Sequence, residues 1–127
     1  MSYKLFILQR IVSDIMKNNL QIPHDKKITV VIRVEPGCLG PDGSNHIEKF
    51  CSAAQIEIES IDSGFVNWEV IPRFDKSLPE IQYKAVNKML THDQAVKYLE
   101  LFNRKIDEFE DYMNEKLAIL IDQYLGH

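Results

Sequence analysis

The chain has 127 residues, of which 45% are hydrophobic and 27% are charged, values typical of one ordinary globular domain. A chain of this size buries about two-thirds of its surface on folding, so it can form a core without disulfides or a metal. The hydrophobic share excludes a wholly disordered chain. No uninterrupted apolar run approaches the ~18 residues of a membrane span.

The net charge of −4 provides no bulk attraction to nucleic acid or to anionic lipid. The two cysteines, Cys38 and Cys51, are too few for a disulfide scaffold in a domain of this size. We therefore expect a cytoplasmic protein with reduced thiols, and no nucleic-acid or membrane partner.

The N-terminal part predicts a helix followed by a strand. Apolar residues at 5, 8, 12 and 15 recur every three or four positions, which predicts a helix over about residues 3–18 that ends before Pro23. Residues 28, 30, 32 and 34 are all isoleucine or valine. Their alternation predicts a strand with one buried face, ended by Pro36.

A loop rich in glycine and proline, residues 36–45, separates this strand from a second predicted helix. Asn45 and Glu48 have the spacing of a capping box. Apolar residues in 47–61 then fall on one helical face. The alternation within 55–61 also fits a strand, but we favour helix because one period covers the whole stretch.

Two further strands and a long helix complete the predicted order. Apolar residues alternate at 66–70 and again at 81–85, with a connection of hairpin length between them. Thr91 and Gln94 form a second capping box, and helical periodicity then continues without glycine or proline to about residue 125. A helix over 92–125 would be ~50 Å long, which exceeds the ~36 Å diameter of a compact chain of this length. It must therefore bend, split or project towards a partner.

These elements predict a single α+β domain over residues 1–127. The order α-β-α-β-β-α indicates a two-layer sandwich with a three-stranded mixed sheet and a long C-terminal helix. The first two strands would be parallel, because a helix connects them.

The C-terminal helix also predicts a subunit interface, since its apolar spacing is sustained over several turns. Residues 91–127 carry eight acidic and four basic side chains, so the whole net charge lies there. An acidic stripe of this kind would also suit a basic protein partner. The leading hypothesis is a small interaction or assembly module without enzymatic activity, forming a homo-oligomer, in the first place a dimer. The predicted interface residues are Ile106, Phe109, Met113, Leu117, Leu120 and Tyr124.

The loop is the one place where chemistry is predicted. A glycine-rich loop before a helix N-terminus can bind a ligand through its backbone N–H groups. The candidate ligand-binding residues are Gly40, Asp42, Gly43, Ser44, Asn45 and His46. The chain has neither the phosphate-binding G-x-x-x-x-G-K-[ST] pattern nor G-x-G-x-x-G, and Asp42 would repel a phosphate.

A rival hypothesis is a small enzyme or ligand-binding domain that uses this loop, with Cys38 as the nucleophile. Cys38, His46 and Cys51 are an alternative set of metal ligands, because thiolates and imidazoles bind zinc. No fourth ligand stands at a usual spacing, and Cys51 lies on the predicted apolar face of the helix, where a thiol acts as a small hydrophobe. We therefore expect neither a metal nor a cofactor.

Overall fold

The computed structural model describes Ile7, Arg10 and residues 22–126. The predicted helix over residues 3–18 lies outside the described residues, apart from Ile7 and Arg10, which are both helical. Short 3-10 turns lie at His24–Lys26, Pro36–Leu39 and Gly43–Asn45. The strands are β1 (Ile28–Val34), β2 (Val66–Pro72), β3 (Ile81–Ala85) and β4 (Lys88–Met89), and the helices are α1 (Ile47–Ile58), α2 (His92–Glu100) and α3 (Ile106–Leu125).

The strands form one mixed sheet in the order β2-β1-β3-β4. β1 is parallel to β2 and antiparallel to β3, so the predicted α+β fold with a mixed sheet is confirmed. The sheet has four strands rather than three, because a tight turn after β3 adds the two-residue β4. Val86 and Asn87 in that turn have φ values of 50° and 61°. A β-branched residue rarely adopts that conformation, so the sequence did not indicate this turn.

The core lies between one face of the sheet and the helices. Val30 is paired with Trp68 of β2 on one side and with Tyr83 of β3 on the other, and all three are buried. The strand predicted for β1 is confirmed, and Ile28, Val30, Ile32 and Val34 all belong to this core. Val31, on the other face, is buried as well, so burial does not alternate strictly along the strand.

Residues 47–58 form a helix, so the rival strand over 55–61 is wrong. The capping box predicted for its N-terminus does not form, because His46 is the N-cap residue and no side chain caps it. Asn45 instead donates a hydrogen bond from Nδ2 to Oδ1 of Asp42 at 2.6 Å. A 3-10 turn over Gly43–Asn45 occupies the position where the predicted cap would lie.

The outer edge of β2 is bonded to α1 through one side chain. Gln55 donates from Nε2 to the Trp68 carbonyl at 2.8 Å and accepts from the Val70 N–H at 2.9 Å. The carboxamide thus makes the two bonds that a neighbouring strand would make. Pro72 ends β2 without an N–H, so the edge is protected against pairing with another chain.

The continuous helix predicted over 92–125 is two helices, α2 and α3. The capping box at Thr91 and Gln94 is confirmed, but the helix ends at Glu100. Asn103 has a φ of 58°, and asparagine is one of the few residues that tolerate this left-handed conformation at a helix end. The break lets α3, about 30 Å long, fold back onto the domain instead of projecting from it.

Candidate functional site

The predicted interface residues of the C-terminal helix lie inside the chain's own core. Ile106, Phe109, Met113 and Leu120 are buried, and Leu117 and Tyr124 are partly buried against them. The Phe109 ring stacks on Trp68 with centroids 5.6 Å apart. Four of the six side chains are therefore covered by this chain's own core, and the other two are only partly covered.

A hydrogen bond also fixes α3 to the sheet. The Tyr83 hydroxyl donates to Oε2 of Glu110 at 2.7 Å. Burial, together with this hydrogen bond to a carboxylate, raises the pKa of Tyr83 well above its ordinary value. The phenol therefore stays protonated and the orientation of α3 about its own axis is set.

The opposite side of α3 carries large apolar side chains that this packing leaves exposed. Tyr112 is 55% exposed and Ile119 is 52% exposed, while Ile56 on the neighbouring α1 is 69% exposed. Tyr112 and Ile119 are seven residues apart and so lie on one side of α3. We call this region the α1–α3 surface; it consists of Ala53, Ile56 and Glu57 of α1 and Tyr112, Lys116, Ile119 and Gln123 of α3.

Two cavities with mainly apolar lining lie along α3, the first between its first turns and the turn that follows α1, the second between its last turns and α1. The first, of about 290 Å³, has Ile61, Phe109 and Tyr112 as its apolar lining. The second, of about 250 Å³, includes Phe50 and Leu120 in its lining, and is also lined by Ala53, Ala54, Glu57, Gln123 and Tyr124. The groove between α1 and α3 therefore contains a recess near each end.

An ion pair borders the first cavity. Arg104 contacts both carboxylate oxygens of Asp62, at 3.0 and 3.3 Å, and its guanidinium lies 5.6 Å from the centroid of the Phe65 ring. The hydrogen bonds to Asp62 raise the pKa of Arg104. This pair ties the turn before α3 to the turn after α1, and so holds this end of the groove in shape.

The glycines of the predicted ligand loop are explained by its folding. A Cβ atom at Gly43 would overlap the carbonyl oxygen of Pro36. Gly40 has a φ of 92°, a conformation that side chains rarely adopt. These requirements arise from the two 3-10 turns, so the glycine pattern alone is not evidence of a ligand.

Three of the predicted ligand-binding residues do come together. Asp42 contacts both Asn45 and His46, whose Nε2 lies 3.4 Å from Oδ2 of Asp42. His46 Nδ1 lies 3.5 Å from the Tyr124 hydroxyl at the end of α3. These exposed polar groups connect the loop to the C-terminal helix. Each of them contacts another group of the same set.

The two thiols are not part of a common site. Cys38 is exposed, whereas Cys51 is buried, and burial, aided by the charge of Glu48, raises the pKa of Cys51 to about 11. Within the described residues, no group of three histidine, cysteine or acidic side chains is placed to hold a metal ion. The alternative ligand set of Cys38, His46 and Cys51 is therefore not assembled.

A larger cavity of about 440 Å³ opens on the face of the sheet away from the core. Its lining includes Lys27 and Lys84 as well as Asp25 and Glu69. Lys84 Nζ lies 3.3 Å from Oε2 of Glu69, and Lys27 donates to the Ser63 carbonyl at 2.8 Å. The Lys84 and Glu69 charges are therefore already paired with each other, and the Lys27 ammonium is already bonded to the backbone.

The α1–α3 surface is the feature that sequence reasoning missed. Ile56 was part of an alternating pattern, and Tyr112 and Ile119 fall outside the main apolar stripe. The seven-residue spacing of Tyr112 and Ile119 was the feature of the sequence that could have indicated a second apolar side of the helix. Among the described residues, no helix combines the length and the apolar character needed to cross a membrane. Comparison with protein-family models, curated proteins and solved structures finds no match to this chain.

Proposed function

We propose that this domain is a protein-interaction module that binds its partner through the α1–α3 surface. The observation that supports the proposal is the exposure of three large apolar side chains, Ile56, Tyr112 and Ile119, on two adjacent helices with a recess at each end of the groove between them. Exposed apolar surface of this kind commonly marks a protein contact.

Burying the apolar side chains of this surface would contribute enough free energy to stabilise an interface. Complete burial of a large apolar side chain contributes about 1.5–3 kcal/mol. Tyrosine is also enriched at the centre of interfaces, because its ring is rigid and its hydroxyl tolerates water. A partner that fills the groove would therefore gain most of its affinity from Tyr112, Ile119 and the two recesses.

A second copy of this chain is one such partner, and homo-oligomerisation remains a prediction. The α1–α3 surface is available to it, whereas four of the six residues first predicted for it are buried. Sedimentation velocity at micromolar concentration measures the mass directly. A dimer that Ile119→Glu converts to a folded monomer would identify the second copy as the partner.

Site-specific photo-crosslinking in native cells tests the proposal. A benzophenone amino acid is placed at position 56 or 119, and at Lys88 of the exposed strand β4 as the matched control. We expect discrete adducts from positions 56 and 119 that are lost with Tyr112→Ser and that position 88 does not form. Absence of adducts at 56 and 119, or equal adducts at 88, would exclude the proposal.

A further inference from the structure

The two recesses of the α1–α3 surface are spaced along α3 so that a single bound helix can reach both. They are lined by Tyr112 at one end and by Gln123 at the other. Residues eleven positions apart on a helix are separated by about 16 Å and lie on nearly the same side. An occupying helix of similar length would place apolar side chains at i, i+4, i+7 and i+11 along the groove, which is the usual pattern of helix-in-groove binding.

The charges around the groove select among such helices. α1 and α3 together carry eight carboxylates and two lysines, Lys49 and Lys116, a formal charge of −6. The whole chain has a net charge of −4, so the remainder of the chain is positive by two. Seven of the eight carboxylates are exposed, the exception being the half-buried Glu110. Residues 22–126 outside these two helices are neutral in sum, so the helices that form the groove hold the net negative charge of that part of the chain.

This concentration of negative charge disfavours a second copy as the occupant. Two copies joined through this surface would bring the acidic helices of both together, and like charges at an interface oppose association. A helix with a basic outer face would instead place its cations beside Glu57 and Glu108, which line the two recesses, and beside Glu115, which is exposed one helical turn before Ile119. Attraction of this kind increases the rate of association and the specificity.

We propose that the groove between α1 and α3 binds a basic amphipathic helix of another protein, with its apolar side in the two recesses and its cations on the acidic rim. This inference rests on the proposed function, because it specifies the partner of the same surface. It adds the sign of the partner's charge and its helical conformation.

Fluorescence anisotropy with three synthetic peptides tests the inference on the full chain. The first peptide has leucines at i, i+4, i+7 and i+11 and lysines elsewhere. The second replaces the lysines by glutamates, and the third scrambles the first. We expect the leucine–lysine helix to bind at least tenfold more tightly than either of the others, and its affinity to fall as salt increases.

Variants of the protein locate the binding. Ile119→Ser and the double variant Glu108→Gln with Glu115→Gln should each weaken binding of the leucine–lysine helix at least fivefold. Glu69→Gln, on the opposite face of the sheet, is the matched control and should leave it unchanged. If binding were a general attraction to acidic protein, Glu69→Gln would weaken it in proportion to the one charge that it removes, and that result would overturn the inference.

The failure of this inference differs from the failure of the proposed function. Equal binding of the lysine and glutamate helices, both lost with Ile119→Ser, would refute the charge selection and leave the interaction surface intact. Binding of neither helix, with crosslinks at positions 56 and 119 only to a second copy, would show that the occupant is this chain itself. No peptide binding and no crosslinks would refute both.

Discussion

The two thiols show how strongly one residue's environment controls its chemistry. Cys38 lies exposed in a 3-10 turn, where a reagent can reach it. Cys51 lies among the buried residues of α1 beside Phe50 and Ala54, where an ionised thiolate would lose its hydration. Burial therefore makes Cys51 a packing residue, and any thiol chemistry of this chain belongs to Cys38.

We expect Cys38 to react with a disulfide reagent at pH 8 at least about tenfold faster than Cys51 in the native protein. A pKa of about 11 for Cys51 leaves about one thiol in a thousand ionised at that pH, and only the thiolate attacks. Stopped-flow absorbance measures both rates, with Cys38→Ser and Cys51→Ser to assign them. Equal rates in the folded protein would contradict the buried position of Cys51.

Gly43 provides a second test at a single position. We expect Gly43→Ala to reduce the free energy of unfolding by about 1–3 kcal/mol, because the added methyl group overlaps the Pro36 carbonyl. Gly37 is the matched control in the same loop, since a Cβ there meets nothing within 4 Å. Urea denaturation measures both variants, and an equal effect of the two would show that the loop does not need close approach at Gly43.

The division of the C-terminal segment into α2 and α3 decides which side of α3 is covered. Asn103 turns the chain, and the Arg104–Asp62 ion pair fixes the direction in which α3 leaves the turn. The Tyr83–Glu110 hydrogen bond then sets its rotation. The apolar stripe consequently faces the sheet, and Tyr112 and Ile119 remain outside.

Two substitutions to glutamate on α3 distinguish its buried side from its exposed side by their effects on stability. Met113 is only 2% exposed, so Met113→Glu would bury a carboxylate and is expected to reduce stability by about 3 kcal/mol or more. Ile119→Glu is expected to change it by less than about 0.5 kcal/mol, as is usual for an exposed position. Circular dichroism during urea unfolding measures both. A folded, stable Met113→Glu protein would mean that α3 does not pack in this orientation.

The stability of the folded chain depends on two buried phenols that must stay protonated. Burial raises the pKa of both Tyr83 and Tyr98 above the ordinary value, with the Glu110 contact adding to the effect at Tyr83. In the unfolded chain these phenols titrate near pH 10. Their contribution to stability is therefore complete below pH ~10 and is lost as the pH rises further, because only the unfolded state then releases the protons.

We expect the urea midpoint to fall between pH 10 and pH 11. Each of the two phenols adds up to about 1.4 kcal/mol per pH unit to the loss. Tyr83→Phe should reduce this slope by about half, even though it removes the bond to Glu110. Tyr112→Phe, at an exposed position, serves as the matched control and should keep the full slope. A slope unchanged by Tyr83→Phe would show that this phenol ionises freely in the folded state.

The amino-acid sequence by itself determined the local elements. The alternation in β1, the apolar face of α1 and the capping box at Thr91 depend on residues that are close in the chain. Periodicity and side-chain caps act over such short distances, so they can be read without knowing the fold. The α+β class and the mixed sheet follow from the order of those elements.

Only the tertiary structure decided where the apolar faces go. The periodicity of α3 identified a stripe that must be buried, but could not distinguish burial against the chain's own sheet from burial against a second copy. The break at Asn103, the bonds of Gln55 to β2 and the contact of His46 with Tyr124 likewise join or redirect elements far apart in sequence. Their energies depend on distances that exist only in the folded chain, and the exposed α1–α3 surface is what remains once those contacts have formed.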